Sequence, residues 1–311
     1  MNTLDKFVYV YELLHNRKGL HPYALSPLRR SVRLLANKVI PNYFKKTPIK
    51  LSDKQSDIVV SLTSFPARIY NVHLVIQCIL RQTILPRKIL LWLSQEQFEG
   101  IELPRNLTDL RNDIFEIRFV KGDIRSHKKY HYVLSEYPDS KIVLIDDDLF
   151  YPTDMLEKMS NASDEHPDSV ICRYGSIMKF NNGTLLPYNA WWYEIASESD
   201  DPNFFFGTGG GVLLKKTWLY KDVLNVDLAI GLTPLADDVW LNAMVNLKGT
   251  PKYKINFGQI LPITIDNNEK LSVENVQNDR NTEQIETLTR HYQSKYNMDP
   301  FIEGLKLKSS N

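Results

Sequence analysis

The run Lys141-Ile142-Val143-Leu144-Ile145-Asp146-Asp147-Asp148-Leu149-Phe150 organises the chain around it. Ile142 to Ile145 are aliphatic and largely β-branched, which suits a short buried strand. Three carboxylates follow at once. Tyr151-Pro152-Thr153-Asp154 then punctuates, and Met155 to Met159 reads as a helix, with Asp154 and Glu157 as an acidic variant of the capping box. The acids therefore sit at the C-terminal end of a central strand, where open α/β sheets bind ligands. Side chains alternate along extended backbone, so Asp146 and Asp148 can point the same way. Two converging carboxylates repel unless a cation sits between them. The plain alternative is a solvated turn whose Asp residues cap the next helix.

Upstream, Asp57 to Thr63 reads as a first strand, followed by the turn Ser64–Ile69 and a helix from about Asn71 to Gln82. Pro86 to Ser94 and Phe115 to Val120 are further strands, and a helix begins near His127. Strands alternating with helices imply right-handed βαβ units and a mainly parallel sheet. Downstream of about residue 165 the rhythm changes. Val170–Tyr174 is a short strand, Asn181-Asn-Gly183 a turn, and Tyr188-Asn-Ala-Trp-Trp-Tyr193 an aromatic segment. A charged helix spans Asn281 to Tyr296.

The 311 residues carry a net charge of +1, so no global field points to nucleic acid. Cys78 and Cys172 lie far apart without metal-ligand spacing, which fits a reducing compartment. No run reaches the roughly 20 apolar residues of a membrane span, and no signal peptide is expected. Charge is unevenly spread. Residues 1–50 hold ten Lys or Arg against Asp5 and Glu12, a net +8, leaving −7 for the rest. Two helices are expected there, the second with Leu28, Val32, Leu35 and Val39 on one stripe. Such an arm either rests on an anionic membrane surface or packs on the main domain.

Gly207-Thr-Gly-Gly-Gly211 is neither a dinucleotide fingerprint, because Val212 stands where the third Gly belongs, nor a P-loop. Its glycines allow close approach of backbone to a polar ligand, or simply form a tight turn. Asp237-Asp238 precedes a buried-looking helix; the pair either stabilises the helix start or supplies a general base. Trp191, Trp192 and Tyr193 are either core or a stacking floor for sugar rings. His166 and His291 are the histidines available as late metal ligands.

Four segments in this order, Asp57-Ile-Val-Val-Ser-Leu-Thr-Ser-Phe-Pro-Ala-Arg-Ile69, Ile145-Asp-Asp-Asp-Leu-Phe-Tyr-Pro152, Phe206-Gly-Thr-Gly-Gly-Gly-Val212 and Ala236-Asp-Asp-Val-Trp-Leu241, form a recognisable set. Together the set resembles bacterial GT-A fold glycosyltransferases of the kind encoded in capsule, lipopolysaccharide and O-antigen loci. The resemblance implies an α/β, Rossmann-like, mainly parallel sheet with helices on both faces. The resemblance covers about residues 57–250; with the basic helical arm over 1–50 and the helical tail over 271–311 read from the residues themselves, a catalytic domain is expected over 51–270. A nucleotide half would span about 57–165 and an acceptor half about 166–270.

By position, Asp148 would ligate Mn²⁺ or Mg²⁺, and Asp146 the metal or the donor ribose. Thr63, Arg68, Asp123, Lys128 and Asp147 would hold the nucleotide, and Trp191, Trp192, Gly209 and Gly210 the sugars. Asp237-Asp238 resembles the acid pair of inverting members, with Asp in place of Glu first, and Asp238 as the base. The implied enzyme is a hexosyl- or N-acetylhexosaminyltransferase. It would move a sugar from a UDP-sugar to a glycan hydroxyl, with a lipid-linked acceptor open, in the cytoplasm or on the inner face of the membrane. A sugar nucleotidyltransferase would instead want a glycine-rich loop after the first strand, and Thr63–Arg68 has none. A catalytically inactive glycan-binding module would have no need of both acid motifs.

Overall fold

The computed structural model describes residues 1–15, 25–191, 198–255, 260–264 and 279–302. Apolar runs at the first, second and fourth predicted strands are buried along almost their whole length, so both faces of the sheet are covered. β1 (Val59–Thr63), β2 (Lys88–Ser94), β3 (Phe115–Val120) and β4 (Ile142–Leu144) run parallel. β5 (Val170–Cys172), β6 (Val212–Leu214) and β7 (Lys252–Lys254) complete the sheet. β6 runs antiparallel between β4 and β5, and β7 returns parallel to β5. Among the described residues the sheet has seven strands, in the order β7-β5-β6-β4-β1-β2-β3.

That order fixes where a ligand goes. The chain steps outward from β1 to β3, then crosses back to set β4 on the other side of β1. Connections leaving β1 and β4 diverge at this switch point and open a crevice between them. The register pairs Val59 with Ile142 and Ser61 with Leu144, and the Ile145 amide extends the ladder to the Ser61 carbonyl. Ser64–Arg68 and Asp146–Asp148 thus emerge side by side.

Helices α1 (Thr3–His15), α2 (Ser26–Lys46), α3 (Ile69–Leu80), α4 (Lys128–Glu136), α5 (Met155–Glu165), α6 (Asp237–Lys248) and α7 (Arg280–Tyr296) surround the sheet. α4 lies over β1, where the buried Ser61 hydroxyl donates to the Lys129 carbonyl and accepts from the Trp92 indole. α6 is buried from Val239 to Leu247 and stops at Gly249, whose φ of +74° makes the left-handed cap. Asn242 pins it to Phe204–Phe206 by two bonds to the Phe206 backbone. α7 buries Ile285, Leu288 and Tyr292 in the same core, and its Gln284 accepts the Leu235 amide.

Two local expectations need correction. Asp154 and Glu157 do not form a capping box: Asp154 makes no side-chain cap bond and pairs with Lys158, while Glu157 accepts from Thr83. The buried stripe of α2 is Ala36, Ile40 and Phe44; Leu28 and Leu35 are exposed. The arm is docked nonetheless. Leu4 and Val8 of α1 are buried, Asn37 of α2 bonds to Pro262 and Thr264, and the Asp5 carboxylate accepts both the Thr153 amide at 3.0 Å and its hydroxyl at 2.7 Å.

Asp5→Ala leaves the amide of buried Thr153 without its partner. We expect it to cost about 1–3 kcal/mol in urea denaturation; an unchanged midpoint would show that the arm does not depend on this contact.

Candidate active site

Asp147, central in the acid triplet, turns inward. The Ser64 hydroxyl donates to it at 2.5 Å and the Arg68 guanidinium at 2.9 Å. Arg68 also lies 3.1 Å from Asp148. A residue of the β1 loop thereby clamps the β4 loop across the switch point. Burial opposes the charge of Arg68, but Asp147 and Asp148 outweigh it and hold the guanidinium above its ordinary range. Burial pushes Asp147 upward against the pull of Arg68 and Ser64.

Asp146 turns the other way. Its carboxylate lies 2.7 Å from the ammonium of Lys129, which is 3.0 Å from Asp237 and donates to the Thr208 hydroxyl at 2.8 Å. Thr208 in turn donates to Asp237 at 3.0 Å. Lys129 is almost wholly buried; desolvation disfavours its charge, yet Asp146 and Asp237 prevail and raise its pKa. The Tyr151 phenol accepts the Asp146 amide and donates to the Gly209 carbonyl at 2.6 Å. A Cβ on Gly209 would stand 2.2 Å from an Asp146 oxygen, and one on Gly210 2.5 Å from the Tyr174 Cβ. The glycines are therefore required for the Thr208–Gly210 turn to reach the acids.

Asp148 and Asp238 carry the least compensated charge. Burial, then Asp147 and Asp146, push Asp148 up to about 7. Burial and Asp237 push Asp238 up to about 7, although it accepts the Val239 amide at 2.9 Å. At this site a carboxylate gains most from a cation or a proton.

The other expected residues are arranged differently. The Thr63 hydroxyl donates to the Trp92 carbonyl within the sheet. Lys128 is buried in an ion pair with Asp123, which also accepts from Gln97 at 2.8 Å. Trp191 is fully buried, edge-on to Tyr188 and Phe205, with its indole N–H on the Leu186 carbonyl. In place of the stacking floor, its ring offers no open face, because flat apolar area is better spent in the core. Trp192 lies outside the described residues. His166 stacks on Tyr253, and among the described residues no group of three or more His, Cys, Asp or Glu is arranged to hold a metal.

Sequence reasoning missed Lys129, Thr208, Ser64, Tyr151 and His127. His127 has no exposed surface; its Nε2 meets the Thr233 carbonyl at 2.7 Å and its Nδ1 the Tyr130 hydroxyl at 2.9 Å. It ties the start of α4 to the loop that leads to Asp237. One signal was available: two lysines open α4, where the helix dipole disfavours cations, so an acid partner is required.

Lys129→Met should cost about 3–5 kcal/mol, because it leaves Asp146 and Asp237 without their shared counter-charge. Chemical denaturation would read this, and Lys129→Met with Asp237→Asn should recover part of it. For Asp238, a pKa raised above its unfolded value means a proton bound only in the folded state. Stability then falls as pH rises from about 4 to about 7. Asp238→Asn should accordingly raise Tm more at pH 8 than at pH 5, and an equal gain at both would contradict the shift.

No family model matches the chain, and no curated protein matches it in sequence. Among solved structures it is similar to a mannosyltransferase, PcManGT, from Pyrobaculum calidifontis in complex with GDP-Man and Mn²⁺. That likeness has a TM-score of 0.46 at 11% identity, covering 98% of this chain and 81% of that one. It is also similar to residues 1–349 of S. aureus TarS in complex with UDP, with a TM-score of 0.44 at 14% identity, covering 77% and 74%. Against the longer S. aureus TarS structure the TM-score is 0.45 at 14% identity, covering 78% of this chain and 44% of that one. Likeness at this level is distant, and the functional reading rests on the chain's own residues.

Proposed function

We propose that the chain is a metal-dependent, inverting glycosyltransferase of GT-A type, moving a sugar from a UDP-sugar to a hydroxyl of a bacterial surface glycan. One observation carries the reading: Asp146 from the β4 end and Asp237 from the α6 start meet in a single hydrogen-bonded cluster through Lys129 and Thr208. A transfer reaction needs a donor diphosphate and an acceptor hydroxyl held at neighbouring acidic groups, and the cluster brings the segments that carry Asp148 and Asp238 together. The two cysteines are free and buried, in keeping with work in the cytoplasm.

A divalent cation fits the donor side. Asp148 is crowded by like charges, and Asp146 is the second carboxylate on that side. Two carboxylates leave the remaining ligands to phosphate oxygens and water, a hard-oxygen set suited to Mg²⁺ or Mn²⁺. Bound there, the ion would offset charge on the departing diphosphate. Arg68 is a fixed cation 3.1 Å from Asp148 on the same side.

On the acceptor side, Asp237 is occupied by Lys129 and Thr208, which leaves Asp238 as the carboxylate able to take a proton. In the step, the acceptor hydroxyl oxygen bonds to the anomeric carbon and its proton passes to Asp238. The bond from that carbon to the diphosphate breaks, and the electron pair leaves with the phosphate. Attack opposite the leaving group inverts the configuration. A pKa of about 7 suits the task, since the base is ionised at working pH and still attracts the proton.

Steady-state kinetics and thermal shift test the assignment together. Asp238→Asn should keep UDP and Mn²⁺ stabilisation but lose transfer by about 10²-fold or more. Asp148→Asn should lose the Mn²⁺-dependent part of UDP stabilisation. A near-normal kcat in Asp238→Asn, or a product of retained configuration, would sink the mechanism.

A further inference from the structure

We infer that α2 is a docking surface for anionic lipid headgroups, independent of the reaction the acids perform. The helix spans 21 residues and contains no Asp or Glu, while Arg29, Arg30, Arg33, Lys38, Lys45 and Lys46 give it six cations. Its buried stripe, Ala36-Ile40-Phe44, faces the protein. The opposite side carries three leucines that the fold leaves open: Leu28, Leu34 and Leu35 are 53–54% exposed. Arg30, Lys38, Lys45 and Lys46 are exposed too, and none forms an ion pair with a described residue.

Large apolar side chains exposed beside unpaired cations mark an interaction surface. Their chemistry selects the partner. Exposed leucines in the first half of the helix, with Arg30 among them, and lysines in the second half match the boundary between acyl chains and charged headgroups. A nucleic acid would have no use for the leucines. A second copy meeting this face symmetrically would bring like charges together, because a two-fold contact opposes a patch to itself. No helix among the described residues is long and apolar enough to cross a membrane, so the contact is one of lying on the surface. Tyr9, Val10 and Leu13 of α1 are exposed on the same arm.

The surface is mechanically linked to the acid triplet. Asn37 of α2 bonds the Pro262 carbonyl and the Thr264 amide, and Leu261–Pro262 pairs with Leu149–Phe150, directly after Asp148. These contacts fix the position of α2 relative to the loop that carries the acids.

The test is co-sedimentation of the full chain with vesicles of phosphatidylcholine, with and without phosphatidylglycerol. Binding should require phosphatidylglycerol and weaken with salt. Replacing Lys38, Lys45 and Lys46 together by Gln should weaken it by at least about tenfold, each cation near an anionic surface contributing on the order of 1 kcal/mol. Replacing Leu28, Leu34 and Leu35 together by Ser should do likewise. All six are exposed, so both variants should keep the parent Tm. Binding that ignores phosphatidylglycerol, or survives both variants, overturns the inference. A dimer that the Leu variant dissociates, with no vesicle binding, would assign the face to a second copy and overturn it equally.

Discussion

A single buried ammonium holds the two halves of the candidate site together. Lys129 meets Asp146 from the parallel half of the sheet and Asp237 from the start of α6, and it donates to Thr208 on the glycine-rich turn. Burying one cation against two carboxylates is tolerable only because each partner has a second support. Thr208 also donates to Asp237, and Tyr151 fixes the Asp146 backbone. The close approach of Gly209 to Asp146 follows from the same arrangement. The cluster is a connected polar network in which Lys129 and Asp237 are buried and Asp146 is partly exposed, and leaving the buried members partly satisfied would be costly.

The sheet makes this meeting possible. Reversal of strand order at β1 and β4 leaves a gap into which Arg68 and the acid triplet project together. Asp147 and Arg68 serve that geometry by locking the two loops to one another. Asp148 and Asp238 are left undercompensated on either side. Burial beside like charges sets these two carboxylates apart from the paired groups around them.

Much of the architecture was legible because strands buried on both faces read as largely apolar runs, as Val59–Thr63 and Ile142–Leu144 do; the half-buried edge strand Phe115–Val120 instead alternates and still has the expected bounds. The place of the Asp triplet was legible because it directly follows the strand at which the sheet order reverses. Lys129 was not. Lys128 and Lys129 are adjacent and chemically identical, and only the rotation of α4 decides that the first pairs with Asp123 and the second enters the cluster. The α2 stripe was misphased for a related reason. Leu28, Val32, Leu35 and Val39 satisfy helical periodicity as well as Ala36, Ile40 and Phe44 do, and the choice belongs to the surface that the helix meets. Trp191 shows the same limit, since an aromatic residue in a polar segment is equally at home in a core.

Gln284 accepts the Leu235 amide from a helix that sequence boundaries would set apart as a tail. The backbone two residues before Asp237 is thus positioned by side chains from near the C-terminus, and Tyr292 of the same helix reaches Asp222. Exchanging segments between related chains, cut at the end of the sheet, would pair one chain's acid loop with another chain's brace. Stability in such chimaeras would depend on the combination of loop and helix, because a helix side chain completes the hydrogen bonding of the loop backbone.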